Sequence, residues 1–141
     1  MMRIVLAADG SKYTKKALAF LATHDTLAGP DDEILVINVQ PAMPPRVRSM
    51  VGSAAVNDYH EEEAEKVLAP IRKFLERKGL RFRCEWKSGE PASQIIGAAK
   101  RFDAHMVVMG THGYGMIGRA VMGSVAQRVL VDSTVPVLLV K

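Results

Sequence analysis

Cysteine is almost missing from this chain: Cys84 is the single one, which excludes an intrachain disulfide framework. Long apolar runs are missing too. The longest are strand-sized, so no direct membrane insertion is expected. At the start, one arginine precedes IVLAADG, which is shorter than the apolar core of a signal peptide, and a cytoplasmic location is the default expectation. Aromatic residues are sparse and do not accompany the basic ones. Lysines and arginines run from Lys12, Lys15 and Lys16 to Arg72, Lys73, Arg81 and Arg83 without one concentrated patch. The net charge of +4 therefore predicts no nucleic-acid partner; it serves solubility and mildly favours an anionic small ligand. His24, His60 and His105 show no metal-ligand spacing with Cys84 or with each other, so no protein-built metal site is expected. Internal repeats and low-complexity tails are also absent, and the length suits one domain over 1–141.

What is present is a regular alternation. Residues 3–8, 33–39, 80–86, 104–110 and 135–141 are short, apolar and β-prone. Between them lie helical patterns. The first carries Ala17, Leu18, Leu21, Ala22 and Leu27, with Gly29-Pro30 as its stop. Residues 40–56 hold three prolines and no clean period and read as a long loop. Met43 and Met50 lie in it, placed to fold over a ligand or reach a partner subunit. Residues 57–78 form the clearest helix, with Tyr59, Ala64, Val67, Leu68, Ile71, Phe74 and Leu75 on one face. Its acidic residues gather near the start and its basic residues near the end. Pro70 predicts a kink or break, and Gly79 the end. Helices at 90–102 and 124–132 follow. The order β-α-β-α-β-α-β-α-β with nearly continuous apolar strands predicts an open parallel sheet with helices on both faces. Only 80–86 alternates, as a sheet edge would.

Five of the eleven glycines fall in MGTHGYGMIGRAVMGS, 109–124: Gly110, Gly113, Gly115, Gly118 and Gly123. Ligands of open parallel sheets bind beyond the carboxyl ends of strands. Asp9-Gly10, Asn38-Val39 and Met109-Gly110 all stand at such ends. Glycines let backbone N–H groups approach phosphates, and Gly123-Ser124 directly precedes a helix whose N-terminus favours anions. Ser124 can donate to a phosphate oxygen, Asp9 can accept from a ribose hydroxyl, and Met109 and the backbone near Val39 can line a base. Plainer roles stand beside these. Ser124 with Gln127 makes a capping box, Ser11 caps the first helix, and Asp9 makes a turn around Gly10. His112 reads as a loop residue, facing solvent or touching phosphate. Cys84 and Trp86 read as packing residues of the third strand, and Met106 as core. No P-loop lysine is present, so strong phosphoryl-transfer machinery is not indicated. On the residues alone, cradle and turns stay open.

The ending GTHGYGMIGRAVMGSVAQRVLVDSTVPVLLVK resembles the universal stress protein family, and the resemblance extends over essentially the whole chain, including WKSGEP at 86–91. Nucleotide-binding members carry G-x-x-G, nine residues, then G-[ST]. Here Gly110 and Gly113 are followed by 114–122 and then by Gly123-Ser124. Asp9 matches the family position at the ribose and adenine region, Val39 the position beside adenine, and Val125 follows the glycine-serine pair. The resemblance implies a single-domain α/β fold: a Rossmann-like, adenine nucleotide alpha-hydrolase-like five-stranded parallel sheet, order 3-2-1-4-5, with four helices. It implies ATP as ligand, with magnesium or manganese carried on the phosphates. Asp9, Val39, Met109, Gly110, Gly113, Gly123, Ser124 and Val125 would form the site. The function implied is a nucleotide-dependent regulator or sensor. The alternatives are a slow ATPase or nucleotidyl-transfer enzyme, a nucleotide-free interaction module, and a regulator of a protein or transporter client. The apolar edge 135–141 invites pairing, and the family pairs its last strands, so a homodimer or higher oligomer is expected.

Overall fold

Five parallel strands make one sheet: β1 Arg3–Ala7, β2 Glu33–Gln40, β3 Arg81–Ser88, β4 Met106–Gly110 and β5 Val137–Val140. Their spatial order is β3-β2-β1-β4-β5, as the resemblance implied. The computed structural model describes residues 1–113 and 122–141. Register is carried by apolar residues: Val5 lies between Leu35 of β2 and Val107 of β4, and Leu6 between Val36 and Val108. Because side chains alternate along a strand, each strand feeds two cores. Ile4, Leu6, Ile34, Val36 and Val108 pack against helices α1 (Lys12–Ala22) and α3 (Ser53–Arg77). Val5, Leu35, Ile37, Val107 and Met109 pack against α4 (Pro91–Arg101) and α5 (Ser124–Asp132). Ile4, Val5 and Leu6 are fully buried, and each such side chain stabilises the fold by roughly 1.5–3 kcal/mol. Double burial explains why the strands read as apolar runs. β3 is the exception: Phe82, Cys84 and Trp86 lean on the first core, while Arg83 pairs with Glu33 at 3.0 Å on the other face. Among the described residues no helix is long and apolar enough to cross a membrane.

Five expectations need correction. Helix α1 stops at Ala22, not at Gly29. The Thr23 hydroxyl donates to the carbonyls of Ala19 (2.8 Å) and Phe20 (3.2 Å), and the Thr23 and His24 N–H groups bond three residues back, which tightens the last turn. Leu27 therefore lies in the following turn.

The expected 40–56 loop contains a helix, α2 (Pro45–Val51), and the start of α3 at Ser53. Its prolines open a helix rather than prevent one. Pro45 occupies the first turn, where its missing N–H would have had no intrahelical partner. Gly52, at φ 86°, then separates the two helices, a conformation that costs glycine least. No residue of α2 is buried, so no apolar period existed to be read.

Helix α3 runs unbroken through Pro70. That residue is exposed, so solvent can satisfy the carbonyl it leaves without a donor. The buried stripe is Val56, His60, Ala64, Leu68, Ile71 and Leu75. His60 replaces Tyr59, which is 48% exposed. The earlier start also means that the first turn of α3 has no acidic residue, so Asp58 and Glu61 to Glu63 stand deeper in the helix than expected. Its end is as read: Gly79 and Leu80 donate back to Glu76 and Leu75 and close the last turn.

Candidate functional site

The loop after β1 is organised by Asp9. Its Oδ1 accepts from the Ser11 N–H (2.9 Å) and the Thr14 hydroxyl (2.9 Å), and Asp9 N–H donates to that same hydroxyl (3.1 Å). This is the turn around Gly10 that the sequence offered as an alternative. Ser11 caps α1 by accepting from Thr14 N–H. At the next strand end, β2 continues past Val39 to Gln40, whose carbonyl accepts from Gly89 N–H at 3.0 Å.

A cavity of about 500 Å³ opens across these strand ends, within the range of small-molecule sites. Asp9, Val39, Met109, Gly110, Gly113, Gly123, Ser124 and Val125 all lie on its wall. The fold thus brings together residues more than a hundred positions apart. The glycines have a steric reason of their own. A Cβ on Gly110 would collide with the Tyr13 Cβ, and one on Gly113 would lie 2.7 Å from Asp9 Oδ2. A Cβ on Gly123 would press on the Thr111 carbonyl at 3.3 Å. Gly123 N–H donates to that carbonyl at 2.8 Å, which joins the two ends of the glycine-rich stretch. Close approach of Tyr13, Asp9 and Thr111 therefore requires glycine at these three positions of the wall. Gly115, Gly118 and Arg119 lie outside the described residues.

Ser124 is not the helix cap. Gly123 holds the N-cap position, no side chain caps it, and Ser124 is the first residue of α5. Gln127 accordingly donates to the Met122 carbonyl at 3.0 Å rather than completing a box. The chain enters the helix one residue earlier than the Ser-x-x-Gln pattern suggests. Ser124 is exposed at the helix N-terminus, where helix dipole and N–H groups favour an anion. His112 is half-buried on the cavity wall, with Thr111 Oγ1 at 2.8 Å from its Nδ1 and its ring 4.9 Å from that of Tyr13.

Sequence reasoning missed part of the wall. Thr14, Gln40, Glu63, Val67 and Ile95 also line it, as does Asn38, which the sequence places at a strand end without a role. Asn38 carried a signal, being polar within an apolar strand. Glu63 and Val67 carried none, because only the packing of α3 brings them to the rim. Beside Pro91, Glu90 caps α4. The Ser93 hydroxyl and N–H, with Ala92 N–H, hold its carboxyl below its ordinary range.

A second cavity, about 330 Å³, lies at the opposite end of the sheet among Arg3, Lys100, Asp103 and Thr134. It faces the amino ends of the strands, away from the ends where this architecture places ligands. Among the described residues no three His, Cys, Asp or Glu side chains converge as metal ligands.

The profile of the universal stress protein family matches residues 1–141. Universal stress protein MJ0531 of Methanocaldococcus jannaschii is 32% identical over 142 residues, covering 99% of this chain and 81% of the relative. The solved structure of MJ0577, from the same organism, superposes with a TM-score of 0.83 at 27% identity, covering 99% of this chain and 94% of that one. A universal stress protein of Archaeoglobus fulgidus, solved in complex with dAMP, shares the fold at a TM-score of 0.71 and 23% identity, covering 100% of this chain and 98% of that one. Sheet order, whole-length profile and relatives agree: this chain belongs to the universal stress protein family.

Proposed function

We propose that the protein binds ATP in the 500 Å³ cavity and acts as a nucleotide-dependent regulatory or sensor protein. The observation that carries the reading is the meeting of Asp9, the Gly110–Gly113 backbone and the α5 N-terminus on one wall. A backbone-lined wall beside a helix N-terminus suits phosphates. The Ser124 hydroxyl, not engaged in capping, adds a donor there. Met109 and Val39 suit the apolar faces of a base, and Asp9 a ribose hydroxyl. The dAMP held by the Archaeoglobus relative supports an adenine nucleotide as the ligand class. Magnesium or manganese would arrive on the phosphates and shield their charge. Asp9 Oδ1 already accepts two hydrogen bonds that shape its loop, which favours a positioning role over that of a catalytic base. Any hydrolysis should then be slow.

We further propose that β5 forms the interface of a homodimer. It is the sheet edge next to β4, and the exposed Leu130 and Val131 of α5 precede it in the chain. Unpaired strand edges of this kind template pairing.

Equilibrium dialysis with ATP, with and without magnesium, tests the ligand. Saturable binding by the native chain and its loss in Gly113→Val/Gly123→Val are expected. No binding, or undiminished binding by the folded double variant, rejects the reading.

A further inference from the structure

The β2 end of the cavity carries a polar relay that the glycine motif does not explain. Asn38 is buried, only 2% exposed, between apolar neighbours. Its Nδ2 donates to the Ala8 carbonyl at 2.9 Å. A carbonyl only accepts, so the amide NH2 faces Ala8 and Asn38 Oδ1 faces away. There it accepts from Gln40 Nε2 at 2.7 Å. The second amide is thereby oriented as well. With Nε2 turned to Asn38, Gln40 keeps Oε1 as an acceptor that bonds no other group among the described residues. The backbone beneath is held in place, since Gln40 pairs in register with Ser88 and accepts from Gly89. Gln40 lines the cavity beside Val39 and Pro41.

We propose that Gln40 determines base identity by reading the 6-position of a bound purine. This rests on the nucleotide reading above, with the phosphates at the glycine wall and the base at β2. Gln40 Oε1 accepts a hydrogen bond from the exocyclic amine of adenine. A 6-keto base such as hypoxanthine puts its oxygen against that acceptor, and two acceptors facing each other disfavour binding. Asn38 acts through Gln40 and is a positioning residue: it denies the Gln40 amide its freedom to flip. The ligand class is therefore a 6-aminopurine nucleotide rather than any nucleoside phosphate.

The test is a cycle of dissociation constants, by calorimetry, for ATP, ITP and purine riboside triphosphate, which lacks a 6-substituent. In the native chain, loss of the amine should weaken binding about three- to tenfold, the range of one neutral hydrogen bond, and ITP should bind more weakly still. In Gln40→Leu the three should bind within about twofold of one another, because the discriminating acceptor is gone. Gln40→Met, closer in length, repeats the measurement if circular dichroism shows the leucine variant unfolded. A folded variant that keeps the native preference overturns the inference. So does a native chain that binds ATP without preferring it to the purine analogue, and that result leaves the ATP reading standing. A native chain that binds none of the three at millimolar concentration overturns both.

Discussion

At the β4–α5 end of the cavity the wall exposes backbone at three glycines, Gly110, Gly113 and Gly123, where a Cβ would crowd Tyr13, Asp9 or Thr111. At the β2 end the wall is side chain, with Asn38 and Gln40 linked to each other and to Ala8. Sterics fix the first end, hydrogen bonds the second. A backbone wall offers the same N–H groups whatever base is attached, so it suits the part of a ligand common to all nucleotides. A side-chain wall can be rewritten by one substitution, so it is where discrimination between ligands belongs. The difference also separates two kinds of fragility, because overpacking acts on the fold and a lost acceptor acts on selectivity.

The largest effect should come from adding volume to the backbone wall. Gly110→Val drives a branched side chain into Tyr13, on the helix that follows β1, and should lower unfolding free energy by about 3 kcal/mol, near the top of the overpacking range. Urea denaturation measures it. A loss below about 0.5 kcal/mol, the size of an ordinary surface change, would mean that Tyr13 moves aside and the end is not sterically fixed.

A smaller loss is expected at the other end. Asn38→Leu keeps the size but leaves the Ala8 carbonyl without its donor, which should cost about 1–3 kcal/mol in the same experiment. No loss would show that the relay does not hold β1 and β2 together beyond their strand pairing.

Glu90, at the turn between β3 and α4, gives the baseline. Ser93, through its hydroxyl and N–H, and Ala92 hold the carboxyl below its ordinary value of 4.5. A lowered folded value means that its contribution is complete above pH 4.5 and is lost as pH falls through the folded value. Glu90→Ala should cost about 1 kcal/mol or less at pH 7, as a helix cap does, with the deficit shrinking below pH 4. A deficit that is constant from pH 7 to pH 3 would contradict the charged-cap account.

The two ends differed in legibility for a physical reason. The glycine wall was legible as a candidate because its residues fall in one stretch beyond a strand end, and Asp9 because it ends an apolar strand, but only the resemblance to the family decided between a cradle and plain turns. The doubly apolar strands made a parallel sheet legible and the alternating Arg81–Trp86 stretch marked one edge, while the full strand order came only with the resemblance to the family. The relay was not readable. Asn38 stands out in EILVINVQ, but its partner at Ala8 is thirty residues away, and only the pairing of Ala7 with Ile37 brings the two together. Helix α2 escaped because it buries nothing. Ser124 reads as a cap in the sequence because the Ser-x-x-Gln pattern fits equally well one residue inside the helix, where Gln127 turns back to Met122 instead. Tyr59 reads as part of the apolar face because it is aromatic, whereas the buried stripe at 60, 64, 68, 71 and 75 is set by the packing of α3 on the sheet.

The central claim is that the cavity at the carboxyl ends of the strands holds an adenine nucleotide. An amide-resolved NMR titration of the native chain with ATP tests it most directly. Saturable shifts are expected at Asp9, Val39, Gln40, Gly113, Gly123, Ser124 and Val125, with Arg3, Lys100 and Thr134 at the opposite cavity unmoved. Shifts confined to that opposite group, or none at millimolar ATP, would contradict it.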